Sequence, residues 1–324
     1  MGRDYRTRAP IENLIRRAEL ARDLRSFFDR RGFIEVHTPI LSRSCVIDRH
    51  LDPIRVEGKE VLGASGLESW FMQTSPEQSM KRLLASGMGS IYQLGPVFRS
   101  AEFGSIHNPE FTMAEWYEIG ADFEQGLATT DALCQALLGT EKASRLTFAE
   151  AWQTHAGFEL WGADVDRLAC LGVERGWVAS TSWSKDWDDW VNLIFSLGVQ
   201  PKLGLDAPVL LTHFPASQAA LARLEPRDRR TSLRFELFYR GVELANGYDE
   251  LTETTEFETR AQTANAERIH DGKTPLPIEN PLRDAMAHGL PASCGCALGF
   301  DRVVMLACNA TRLEEVIAFP AEIA

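Results

Sequence analysis

The 324-residue sequence has no apolar run near the roughly 20 residues that span a bilayer, and its N-terminus lacks the apolar core of a secretory signal. Both absences point away from a membrane and predict a cytoplasmic protein. No low-complexity stretch, linker or internal repeat divides the chain, which argues against a second, separate domain. The six cysteines (Cys45, Cys134, Cys170, Cys294, Cys296 and Cys308) include no C-x-x-C pair, so no zinc or dithiol motif is encoded. Cys294 and Cys296 flank a glycine, the spacing of a weak metal or redox site, but are read first as reduced core thiols. Positive charge is also in short supply: 34 Lys and Arg stand against 46 Asp and Glu, a net charge of -12. That balance disfavours broad binding to nucleic-acid phosphates. The arginines near the start (Arg3, Arg6, Arg8, Arg16, Arg17, Arg22, Arg25) are interspersed with Glu12, Glu19 and Asp23 and read as a solvated helix face.

What is present is an ordinary globular composition, 44% hydrophobic and 25% charged, in a chain long enough for a large core. Residues 10–31 carry Leu14, Ala18, Ala21, Leu24 and Phe28 on one stripe, a helix stopped by Gly32 and followed by a strand over 33–36. A hairpin is expected from 54–56 and 70–74, then a helix over 78–85 entered through Ser75 and Pro76. Helices are predicted over 122–138 and 146–197, the second with Trp183, Trp187, Trp190 and Ile194 as a core stripe. Strands return at 209–212 and 232–242. A helix is expected over 252–270, and a small-residue strand from Gly295 runs into a final helix.

Residues 98–117 read FRSAEFGSIHNPEFTMAEWY. Phe111, Met113, Glu115 and Tyr117 alternate with Thr112, Ala114 and Trp116, the period of a strand, while Arg99 follows an apolar run from Ile91. A hairpin there brings a guanidinium, a histidine, an amide and a carboxylate together on rigid elements, a layout suited to small-molecule chemistry. Glu243, Asn246 and Glu250 form a second oxygen-rich set, readable as a cation site or as an acidic surface turn.

Three stretches resemble the motifs of one family, the class II aminoacyl-tRNA synthetases: the helix and strand ending at Pro39, residues 98–117, and residues 295–302. HNPEFT with E-x-Y, and ELANG with a later glutamate, resemble the lysyl-tRNA synthetase branch. The resemblance implies an α+β fold, an antiparallel β-sheet flanked by helices. It also implies a tail over 1–10, one catalytic domain over 11–324 and no anticodon-binding domain. Ser75 and Ala297 stand where the synthetases typically have alanine and glycine, which resembles paralogues that modify a lysine of elongation factor P with lysine or (R)-beta-lysine and read no tRNA anticodon.

The same resemblance assigns roles. Arg99 binds the substrate carboxylate and the α-phosphate of ATP, and Arg302 holds the γ-phosphate beside His107. Glu243, supported by Asn246, holds magnesium. Phe111 stacks on adenine, and Ser100, Ala101, Glu102, Asn108, Leu244 and Gly299 complete the ATP site. Glu115, Glu250 and Tyr117 take the substrate's side-chain ammonium, while Glu77, Ser75, Pro76 and Ala297 shape the pocket near its other amine. Ala101 departs from the family pattern, which has a glutamate there; the acid here is Glu102. The helix and strand before Pro39 imply a homodimer. Two other readings remain open: an ammonia-dependent asparagine synthetase-like enzyme and a catalytically silent paralogue that acts as a binding module.

Overall fold

The computed structural model describes residues 5–63, 66 and 68–324. The first four residues of the expected tail, Arg3 among them, lie outside that range. In chain order the helices are α1 (Ile11–Asp29), α2 (Gly58–Leu62), α3 (Glu77–Ala85), α4 (Phe123–Leu138), α5 (Phe148–Ala156), α6 (Val165–Glu174), α7 (Trp187–Ile194), α8 (Thr254–His270), α9 (Pro281–Gly289) and α10 (Phe300–Ala307). The strands are β1 (Ile34–Glu35), β2 (Leu41–Ser42), β3 (Arg55–Glu57), β4 (Ser69–Met72), β5 (Ile91–Phe98), β6 (Glu110–Ile119), β7 (Ser144–Thr147), β8 (Val209–Thr212), β9 (Arg234–Tyr239), β10 (Val242–Asp249) and β11 (Ser293–Gly299).

Eight strands form one sheet in the order β1-β5-β6-β11-β10-β9-β8-β7. Its interior is antiparallel, and only the edge pairs β1–β5 and β7–β8 run parallel. The α+β architecture expected from the resemblance is therefore present, with a parallel pair added at each edge. A smaller sheet, β2-β4-β3, sits beside it.

Register makes the two faces of the large sheet chemically different. Across the strands Gln93, Glu115, Ala297, Asn246 and Glu236 stand opposite one another, and the next site-facing row is Ile91, Tyr117, Gly295, Tyr248 and Arg234. Because side chains alternate, Trp116, Cys296 and Phe235 fall on the other face. There they are buried with Leu20, Leu24 and Phe28 of α1 and Val303 and Val304 of α10. Burying each such large side chain contributes about 1.5–3 kcal/mol. One face thus supplies stability and frees the other to be polar.

Two local expectations are corrected. Residues 146–197 do not form one helix: Thr147 caps α5, Gly157 ends it with a left-handed backbone, and Asp164 and Asp186 cap α6 and α7. Trp190 is fully buried, whereas Trp183 is 49% exposed and meets Trp190 edge-on, so the tryptophan stripe is only partly core. The strand expected to end at 242 instead turns at Arg240 and Gly241 and returns as β10, so Glu243 to Asp249 is strand rather than surface turn. A bulge between Glu243 and Ala245 shifts the register, and Glu243 thereby pairs with Phe238 on the site-facing parity.

Candidate active site

The polar face opens into a cavity of about 850 Å³, lined also by residues 46–51, α7 and α8. Of the residues singled out from sequence, Ser75, Glu77, Arg99, Glu102, His107, Asn108, Phe111, Glu115, Tyr117, Glu243, Leu244, Asn246, Glu250, Ala297, Gly299 and Arg302 all border it. Pro76, Ser100 and Ala101 are not on its wall. Pro76 precedes α3, and Ala101 has a left-handed backbone at φ 62, while its neighbour Glu102 borders the cavity.

At one end lie three buried carboxylates. Glu115 accepts hydrogen bonds from Ser75 Oγ at 2.7 Å and Tyr117 Oη at 2.6 Å. Burial and the charge of Glu77 push its carboxyl up to about 7. Glu77 and Glu250 share Lys81, whose Nζ is 2.7 Å from one and 2.6 Å from the other. Burial works to lower the Lys81 ammonium, but Glu250 and Glu77 outweigh it and hold it above the usual lysine range. Burial also raises Glu250, against the pull of Lys81. A raised lysine argues for a charged pair and a raised glutamate for a neutral one. Two carboxylates within 2.7 Å of one nitrogen favour the charged pair, and the lift on Glu250 then registers its burial first and its repulsion by Glu77 and Glu115 after it. A Cβ on Gly295 would stand 2.2 Å from Glu250 Oε1 and 2.5 Å from the Tyr117 ring, so only glycine admits this packing.

At the other end the charges alternate. Arg302 donates to His107 Nε2 at 2.8 Å and to the Glu243 carbonyl at 2.9 Å. A guanidinium only donates, so His107 accepts and is neutral there, in keeping with a pKa lowered by burial and by Arg302. Arg99 lies over the Phe111 ring at 5.0 Å and 3.6 Å from Glu102. Asn108 is more committed than its assigned nucleotide contact implies: its amide donates to the Glu110 carbonyl and accepts from the Ala321 N–H. Leu244 borders the cavity while packing in the main core. A Cβ on Gly299 would meet Arg302 at an ordinary 3.5 Å, so internal packing does not demand that glycine.

Sequence reasoning missed Glu236, seven residues before Glu243. It pairs with Arg234, and burial followed by the Glu243 charge raises its carboxyl. With Asn246 Oδ1 buried and making no hydrogen bond, Glu236 and Glu243 form an oxygen donor set that suits a hard divalent cation. Among the described residues no group of three or more His, Cys, Asp or Glu forms a ready-made metal cage, so such an ion would depend on phosphate oxygens as well. The alternation of Glu236 with Arg234 on an apolar strand was the available signal. Lys81 was also passed over, as one cation in a helical run. Arg49 and Arg268 were missed too. Arg268 binds the carbonyls of Asp48 and Leu51, and Arg49 is paired with Asp186, Asp189 and Asp271, so the 46–51 loop is tied over the cavity.

An antiparallel sheet presenting an arginine-bearing hairpin, a carboxylate pair and a strand-to-helix arginine over one cavity defines a class II synthetase-type catalytic domain. The chain belongs to the family described as tRNA synthetases class II (D, K and N), whose model matches residues 3–323. Membership implies use of ATP. The chain is 41% identical over 319 residues to the elongation factor P--(R)-beta-lysine ligase of Hamiltonella defensa subsp. Acyrthosiphon pisum, covering 98% of each. It is 43% identical to the protein of that name from Yersinia enterocolitica, over 96% of each, and 42% identical to that from Yersinia pestis, over 98% of this chain and 97% of the relative. No helix is long and apolar enough to cross a membrane among the described residues.

Proposed function

We propose that this protein is an ATP-dependent ligase that activates (R)-beta-lysine, or lysine, and transfers it to a lysine side chain of elongation factor P. The observation that carries this reading is the split of one cavity into an end with three buried carboxylates and an end rich in arginine. A diamino acid brings two ammonium groups that need carboxylates once desolvated. Its own carboxylate then lies toward Arg99.

In the first step a carboxylate oxygen of the amino acid forms a bond to the α-phosphorus of ATP, and the bond to pyrophosphate breaks. Arg99 offsets charge where anion meets polyanion, Arg302 holds the departing phosphates, and His107 stays neutral beside it. Glu236 and Glu243, with Asn246, would hold magnesium, which when bound neutralises phosphate charge. In the second step the amine of the acceptor lysine forms an amide bond to the carbonyl carbon, AMP leaves, and the amine's proton is released. Glu115, Glu250 and Tyr117 take the side-chain ammonium, while Glu77 and Ser75 lie toward the other amine. Ala297, opposite Glu115 and Asn246 in the sheet, sets the floor between the two ends.

The acidic end disfavours asparagine synthesis. An aspartate side chain needs a cation where Glu77, Glu115 and Glu250 line the wall, and the lysine there, Lys81, is buried behind Glu77 and Glu250. Ile11 and Ile15 of α1 and Ile34 of β1 are exposed, which supports a homodimer through these elements. The whole of residues 11–324 is proposed to act as one catalytic domain. Mass spectrometry of elongation factor P after incubation with this protein, ATP and either lysine isomer tests the function. The expected result is a mass gain of one lysyl group; no gain with either isomer, together with no pyrophosphate exchange, would leave the silent-paralogue reading.

A further inference from the structure

We infer that Lys81 is a built-in counter-cation that braces Glu77 and Glu250 from behind the cavity wall and thereby sets the site to accept two ammonium groups. The inference rests on the diamino-acid reading above and deepens it. Lys81 is 1% exposed and absent from the cavity wall, whereas Glu77 and Glu250 both line it. It is a positioning residue, since it reaches the substrate only through them.

Its place follows from local geometry. Glu77 and Lys81 are four residues apart on α3, so their side chains share a face. Glu250 arrives from the end of β10, so the lysine ties a helix to a strand across the pocket floor. Lys81 donates a directed hydrogen bond to Glu77. Glu250 Oε2 faces Nζ at 2.6 Å without a well-directed hydrogen bond, which leaves that oxygen with unused acceptor capacity. The other groups facing the pair are Glu115 and Tyr117 from β6 and Tyr248 from β10.

Charge arithmetic gives the consequence. Glu77, Glu115 and Glu250 ionised carry three negative charges, and Lys81 cancels one, leaving two. A diamino acid supplies two ammonium groups. Without Lys81 three carboxylates would share a desolvated space, and near neutral pH they would hold more protons than they do beside it, which the incoming substrate must displace. Lys81 therefore lowers the number of protons the site holds and orients its carboxylates before the substrate arrives.

The test uses calorimetric binding of lysine and (R)-beta-lysine to the wild-type protein and K81M, in buffers of different ionisation enthalpy, between pH 6.5 and 8.5. K81M is expected to bind roughly tenfold more weakly at pH 6.5, to recover as pH rises, and to release up to about one more proton on binding than wild type. ATP affinity, measured in parallel, is expected to stay within about twofold. Equal affinity and equal proton release in the two proteins would overturn the inference. So would a loss that is the same at every pH, which marks a merely structural role. If the wild-type protein binds neither isomer, the functional reading fails. The Lys81 inference is then judged on the ligand-free proteins: the midpoint of thermal unfolding of K81M must fall more steeply with rising pH than that of wild type, and parallel curves overturn it.

Discussion

The two ends of the cavity meet the same difficulty, buried charge, in opposite ways. At one end three buried glutamates have a single internal lysine among them, so the carboxylates outnumber the cation there. At the other end Glu102, Glu236 and Glu243 are interleaved with Arg99, Arg234 and Arg302, three against three, so the protein's own charges nearly cancel. The difference teaches what each end awaits. A site left negative is completed by cations, and one that is balanced but lined with arginine guanidinium groups is completed by a polyanion together with its metal. It also explains why the sheet face behind both ends is so strongly apolar: a core of Trp116, Phe28 and Phe235 must offset the cost of holding these groups out of water.

The contrast can be broken at its strongest point first. Arg99→Ala is expected to lower ATP–pyrophosphate exchange by roughly a thousandfold, because charge at the reacting centre loses its nearest guanidinium. Glu250→Gln should instead act on the cation end, raising KM for lysine by roughly 100- to 5,000-fold with ATP KM little changed, as breaking a buried pair costs about 3–5 kcal/mol. An equal rise in both KM values would mean that the ends are not separate. Glu236→Gln is expected to raise the magnesium concentration for half-maximal exchange by roughly 10- to 100-fold, read from a magnesium titration.

The pH dependence sharpens the same comparison. The Glu115 carboxyl is raised from 4.5 to about 7 in the folded protein. A carboxyl raised by folding favours the folded state fully below its unfolded value and loses that contribution as pH rises through the folded one. Ligand-free protein should therefore lose roughly 2–3 kcal/mol from this group between about pH 4.5 and 7. Glu115→Gln should flatten that slope in urea unfolding series, and lysine should restore the lost stability at pH 8. The smallest effect is expected at the turn: Ala101→Gly relieves a left-handed alanine and should raise stability by about 0.5 kcal/mol without altering KM for either substrate.

Much of the site is legible in the sequence because its residues sit on strands with period two. Glu115 and Tyr117 read as one face, and the register confirms it, with Ala297 and Gly295 opposite them. The helix from 11 and the hairpin from 91 are similarly plain, since each is long and strongly patterned. Glu236 and Lys81 are not legible. Each lies in a stretch whose pattern is explained by core packing or by a helix surface, and each acquires its role only from a partner far away in the chain. The helix predicted over 146–197 fails for a local reason: apolar spacing alone overruns the stops at Gly157, Asp164 and Asp186.

By itself, the sequence determined the alternating strands, the family to which the chain belongs and many of the charged residues that border the cavity, because periodicity and motif spacing are properties of neighbours along the chain. Tertiary structure alone decided that a bulge turns Glu243 toward the site, that Glu102 rather than Ala101 borders the cavity, and that Lys81 ends between two glutamates. Those outcomes depend on register and on the balance of buried charge, which exist only once helix and sheet are packed together.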